Sequence, residues 1–97
     1  MTEGAIARRY LVSGFVQGVG FRYFVLRAAL RLQVSGFVRN LSDGRVEACA
    51  AGTPGQLLAF RATLERGPVG VRVSGVQEEP AELDPGWGSD FLIADST

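Results

Sequence analysis

The chain contains no histidine and no lysine. Without imidazole it lacks the commonest acid–base side chain at neutral pH and the commonest metal ligand. Without lysine it has no amine for Schiff-base chemistry and cannot form a Walker-type phosphate loop. All ten basic residues are therefore arginine. The single cysteine, Cys49, has no partner for an internal disulfide, which fits a reducing compartment. Position 55 is Gly rather than Arg, so Cys49 does not begin a cysteine-phosphatase loop. No apolar run approaches the ~20 residues of a membrane span. The segment from Met1 to Arg9 lacks the basic-then-apolar order of a signal peptide. These absences predict a cytoplasmic protein that needs neither membrane nor metal.

What is present is compact and unevenly charged. The 97 residues fit one domain, 1-97, with a single modest core. Formal net charge is zero, yet six arginines fall in the first forty residues against one acid, Glu3. Beyond Val76 there are six acids and no base. An N-terminal cationic excess suits nucleic acid or a small anion. Arg27 and Arg31, four apart, read as a solvated helix face.

Hydrophobic periodicity orders the elements. Residues 8 to 13 alternate weakly as a first strand. Phe21, Phe24, Val25, Ala28, Ala29 and Leu32 recur at helical spacing, predicting a helix over 21–32. Val34 to Leu41 and Arg45 to Ala51 read as a hairpin around the turn Ser42-Asp43-Gly44. Val46, Ala48 and Ala50 should face the core, with Glu47 and Cys49 turned the other way. Thr53, Pro54 and Gln56 form a capping box ahead of a second helix lined by Leu57, Phe60 and Leu64. Gly67 and Pro68 end it. Val69, Val71 and Val73 alternate as a fourth strand, residues 78 to 89 read as a loop, and Phe91-Leu92-Ile93 as a short last strand. Trp87, within that loop, is expected to cover the core. The order β-α-β-β-α-β predicts an α+β, ferredoxin-like sandwich: an antiparallel sheet, both helices on one face, and a short extra C-terminal strand. Such a plan says nothing by itself about activity.

The stretch from Gly14 to Arg22 joins the first strand to the first helix. Three glycines in seven positions let main-chain amides converge on one point. The helix start adds unpaired N–H groups and a positive dipole end. Arg22 contributes a planar, permanently charged fork. On glycine content alone an anion cradle and a simple chain reversal are equal readings. Gly18-Val19-Gly20 is followed by Phe21-Arg22-Tyr23, so the dinucleotide pattern G-x-G-x-x-G is absent. Asn40 near the hairpin turn is, by itself, most simply a local backbone cap.

Two strings change that balance. Gly14-Phe15-Val16-Gln17-Gly18-Val19-Gly20-Phe21-Arg22 resembles the phosphate-binding signature of the acylphosphatases, G-x-V-Q-G-V-x-F-R. Gly36-Phe37-Val38-Arg39-Asn40-Leu41-Ser42-Asp43-Gly44-Arg45-Val46-Glu47 resembles that family's second signature. The likeness runs from about Arg8 to Ile93. It implies hydrolysis of the carboxyl–phosphate anhydride of acyl phosphates to a carboxylate and inorganic phosphate. By the same resemblance, Phe15, Val16, Gln17, Gly18, Val19, Gly20, Phe21 and Arg22 bind the phosphate, and Arg22 and Asn40 are catalytic, with Asn40 orienting water. Bland roles are also expected here: Gln17 buttressing the loop, Val16, Val19 and Phe21 packing beneath it, and Arg39 structural or at the surface. The implied partners are a small-molecule acyl phosphate and phosphate, the latter as product and competitive inhibitor. Neither nucleic acid nor membrane is implied, no cofactor and no metal are required, and the protein is expected to be a monomer.

The chemistry agrees with the resemblance. A phosphate monoester expels an alkoxide and calls for a general acid, a metal or a covalent nucleophile. An acyl phosphate expels a carboxylate, already stable as an anion. Backbone amides, one Arg and one Asn then suffice, because phosphoryl transfer rests on positioning and charge stabilisation. Glu47 and Asp43 remain available as helpers. The competing readings are a ferredoxin-like module that binds RNA or another anion without catalysis, and a hydrolase of carbamoyl phosphate. The RNA reading needs aromatics on the central strands, but the second strand has only Phe37 and the third, Arg45 to Ala51, has none. Two positions depart from the family pattern. Phe15 stands where a polar or basic residue is frequent, and the tail from Ala94 to Thr97 is acidic and polar.

Overall fold

The computed structural model of the chain describes residues 4–97. Its elements, in order, are β1 (Ile6–Phe15), α1 (Phe21–Leu32), β2 (Ser35–Asn40), β3 (Val46–Gly52), α2 (Pro54–Arg66), β4 (Arg72–Ala81), a 3-10 turn (Pro85–Trp87) and β5 (Phe91–Ile93). The five strands form one sheet in the order β4-β1-β3-β2-β5. The first four pair antiparallel in the expected ferredoxin-like arrangement. β5 adds a parallel edge beside β2 through Gly36, Phe37 and Val38. A three-residue strand carries no pattern that would reveal its neighbour or its direction.

Both helices pack on one face of the sheet. Tyr10 and Val12 from β1, Val38 from β2, and Val46, Ala48 and Ala50 from β3 meet Phe21, Val25 and Ala29 of α1 and Leu57, Phe60 and Leu64 of α2. The alternation predicted for β3 is the one observed, with Val46, Ala48 and Ala50 all in the core. Each large side chain removed from water here stabilises the fold by about 1.5–3 kcal/mol. The capping box of α2 forms as predicted: Gln56 N–H donates to Thr53 Oγ1 at 3.2 Å, and Thr53 N–H donates to Gln56 Oε1 at 2.7 Å.

The fourth strand differs from the sequence expectation. Val69 stands wholly in solvent and precedes the strand, which runs on to Ala81 through part of the expected loop. The reason is a β-bulge. Ser13 pairs with Gly75 while Gly14 pairs with Val73, so Ser74 is an extra residue on β4. Val73 and Val76 consequently reach the core three positions apart, and a strict period of two misses the second half of the strand. At the bulge, β1 and β4 come so close that a Cβ on Gly14 would lie 2.2 Å from the Arg72 carbonyl oxygen. Only glycine fits at that point, and the bend it permits carries the chain out of the sheet into the following loop.

The sheet face opposite the helices is covered by long side chains. Glu47 and Cys49 point there as expected, but both are buried. Glu47 is held between Arg9, which donates through Nε, and Arg39, whose Nε donates to Oε1 at 2.6 Å. Arg9 also reaches Glu79 on β4. Trp87 covers this face rather than the helix-side core, meeting Phe37 edge to face at 6.1 Å. Burial pushes the Cys49 thiol up to about 11, with the Glu47 charge adding to the effect, so it is a weak nucleophile at neutral pH.

Candidate active site

The site begins where β1 leaves the sheet. Val16 and Phe21 are buried and pin the two ends of the loop to the core, while Gly18 and Gly20 at its tip have φ of 73° and 79°. Gly20 is the N-cap of α1 and lies in the left-handed region, where it offers the helix no side-chain hydrogen bond. The first turn of α1 contains no acidic residue. The N–H groups that open the helix are thus left for a ligand, and the helix dipole adds positive potential at the same place. This contrasts with α2, whose first turn is fully capped.

A cavity of about 220 Å³ opens here, lined by Val16, Gly18, Gly20, Phe21, Arg22 and Tyr23. Five of these belong to the predicted phosphate loop. Arg22 makes no ion pair among the described residues, so its charge is uncommitted. Gln17 turns away from the cavity, as a buttress should. Its Nε2 donates to the carbonyl oxygens of Leu41 at 2.7 Å and Arg45 at 2.8 Å. These bonds tie the loop to the β2–β3 turn, and so join the two signature strings. Phe15 and Val19 do not line the cavity. Contrary to expectation, Val19 does not pack beneath the loop but is 45% exposed at its tip. Tyr23 was missed in the sequence because an outward position on a helix's first turn looks like ordinary surface.

Asn40 ends β2. Val38, two residues earlier, faces the helix layer, so alternation turns Asn40 to that same side and Arg39 to the opposite face. Since β1 leads into α1 and α1 leads back into β2, the last residue of β2 returns to the end of the molecule where α1 begins. The Asn40 Oδ1 is buried and has no hydrogen-bond partner among the described residues. A buried acceptor without a partner is costly, and in native proteins it commonly marks a place for water or ligand. The C-terminal tail passes alongside: Ala94 N–H donates to the Val38 carbonyl at 2.8 Å, and Thr97 N–H to the Asn40 carbonyl at 3.1 Å. A larger cavity of about 630 Å³ lies at the other end of the sheet, among Ala29, Val34, Leu83 and Pro85. Among the described residues its only charged lining residue is Asp84, which makes it unsuited to an anion.

The sequence profile of the acylphosphatase family matches residues 8–93. The chain belongs to the acylphosphatase family. An acylphosphatase from Rhizobium etli is 48% identical over 93 residues, covering 96% of this chain and 98% of that one. The solved acylphosphatase from Bacillus subtilis superposes with a TM-score of 0.85 at 35% identity, covering 92% of this chain and 98% of its own. A structure of full-length HypF in a phosphate- and nucleotide-bound form gives a TM-score of 0.89 at 29% identity over 99% of this chain, but only 12% of HypF. This member of the acylphosphatase family is therefore an enzyme of the hydrolase class with the ferredoxin-like fold. No helix among the described residues is long and apolar enough to cross a membrane.

Proposed function

We propose that this enzyme hydrolyses acyl phosphates by holding the phosphoryl group in the Phe15–Phe21 loop and delivering water from Asn40. The reading rests chiefly on one observation: α1 starts without a side-chain cap or an acid, at a cavity lined by an arginine with no ion pair among the described residues. The loop amides and the Arg22 guanidinium neutralise the phosphoryl oxygens. A water that donates to Asn40 Oδ1 attacks phosphorus in line. The new oxygen–phosphorus bond forms as the bond from phosphorus to the acyl oxygen breaks, and that electron pair leaves with the carboxylate. One proton of the water passes to solvent as inorganic phosphate is formed. The leaving group needs no general acid, which suits a chain without histidine. The amide dipoles are preset, so the transition-state charge is met without reorganisation. The protein acts as a cytoplasmic monomer on a small-molecule substrate.

The test is phosphate release from benzoyl phosphate with a chelator present. Turnover should survive chelation, and inorganic phosphate should inhibit competitively. Arg22→Ala should raise the phosphate inhibition constant about 10- to 100-fold, as expected for a lost charge-assisted contact, and should also lower kcat. Carbamoyl phosphate, another phosphoric anhydride, belongs in the same assay as an alternative substrate. A protein that shifted RNA in a gel but released no phosphate from any acyl phosphate would overturn the proposal.

A further inference from the structure

The chain segment that carries the cavity wall also carries exposed apolar side chains. Within nine residues, Phe15, Val19 and Tyr23 are 77%, 45% and 61% exposed. Tyr23 forms part of the cavity wall, Val19 stands between the wall residues Gly18 and Gly20, and Phe15 directly precedes Val16. The exposed tip of a glycine-rich turn would ordinarily carry polar side chains. Arg22 stands in the cavity wall, and Arg72 pairs with Phe15 across the bulge. No acid lies in the stretch from Phe15 to Arg31. An apolar lip around a cationic cradle is complementary to a ligand with an anionic head and an apolar tail.

We infer that Phe15, Val19 and Tyr23 bind the acyl end of the substrate, so that acyl phosphates with aryl or longer aliphatic groups are preferred to small ones. This rests on the acyl phosphate reading above and adds a substrate class to it. With the phosphoryl group at the head of α1, the acyl group has to leave the cavity past Tyr23 and across the loop tip. The three side chains are otherwise left in water, and covering them removes apolar surface from both partners. Tyr23 also offers a ring face or edge to an aromatic acyl group. These residues set specificity and take no part in breaking the bond.

The decisive comparison is kcat/KM for hexanoyl against acetyl phosphate. Their carboxylate leaving groups are nearly equal in basicity, so a difference between them reports contact with the chain. Wild-type enzyme should favour hexanoyl phosphate about tenfold, the effect of partly burying a few methylenes. Tyr23→Ser and Phe15→Ser should each reduce that ratio about threefold, and Tyr23→Leu should keep most of it. A ratio near one in the wild type, or a ratio that neither serine variant moves, would overturn the lip while leaving acyl phosphate hydrolysis intact. Failure to hydrolyse either substrate would overturn the underlying reading and the lip with it.

Discussion

Asn40→Ala should lower kcat about 10²- to 10³-fold and leave inhibition by phosphate nearly as it was. The size is that of losing one preorganised polar contact at a reacting centre. The selectivity follows from the proposed division of labour, in which amides and Arg22 grip the phosphoryl group and Asn40 touches the water. Stability should move the other way. Because Oδ1 is buried without a partner among the described residues, removing it relieves a cost of roughly 1–3 kcal/mol, offset in part by lost packing. A residue that merely caps the β2–β3 turn would behave differently, since its loss would weaken the fold and spare the rate. Steady-state kinetics and a urea titration on the same variant separate the two cases. A kcat within threefold of wild type would remove Asn40 from the mechanism. Asn40→Asp is a useful companion: it keeps an acceptor but places negative charge near the phosphoryl group, and should weaken substrate binding as well.

Glu47→Gln should destabilise the fold by about 2–3 kcal/mol, which for a domain of this size lowers Tm by roughly 10–20 °C. Glu47 is only 3% exposed and receives bonds from both Arg9 and Arg39. Gln keeps the shape and one acceptor but leaves two guanidinium groups without their shared anion. The effect stays at the lower end for a broken buried pair because both arginines are partly solvated and can turn outward. The same cluster gives an acid dependence with a definite sign. Burial alone would raise the Glu47 carboxyl, but the hydrogen bonds and charges of Arg9 and Arg39 together outweigh it and hold the group below its ordinary value. A carboxylate depressed in the folded state contributes stability above its unfolded value, about 4.3, and loses it as pH falls through the folded one. Wild type should therefore lose stability on acidification below about pH 4.3, and Glu47→Gln should lose less over that range. Parallel wild-type and variant curves would show that this carboxylate does not carry the acid sensitivity.

The two helices were legible because each writes its period and its ends into adjacent residues, Thr53 to Gln56 most plainly. β3 was legible for a similar reason, with Val46, Ala48 and Ala50 alternating in one run. What escaped depends on residues far apart in sequence. The bulge at Ser74 exists only against Ser13 and Gly14, and it shifts Val76 out of the phase set by Val71 and Val73. Glu47 is held by Arg9, thirty-eight positions away on β1, which donates to it across the sheet. In the site, Gln17 was expected to brace the loop, but its partners were not foreseeable, since they are main-chain carbonyls on another element. Asn40 stood out only within its longer string, because a lone Asn beside a turn has a simpler reason to be there. Val19 was misjudged: whether an apolar side chain in a loop packs down or stands up is decided by the turn of the backbone at Gly18 and Gly20, which spacing does not report.

The bare start of α1 has a thermodynamic corollary. An N-cap Asp or Ser on extended backbone in place of the left-handed Gly20 would secure the helix permanently, by roughly a few tenths of a kcal/mol over glycine, yet would compete with any anion for the same N–H groups. The polypeptide instead forgoes that support until a ligand supplies it. By linkage, phosphate at a hundred times its dissociation constant would raise unfolding free energy by about 2.7 kcal/mol. Under the proposed binding mode, occupancy and durability would be coupled, and the molecule would resist melting and proteolysis best while at work.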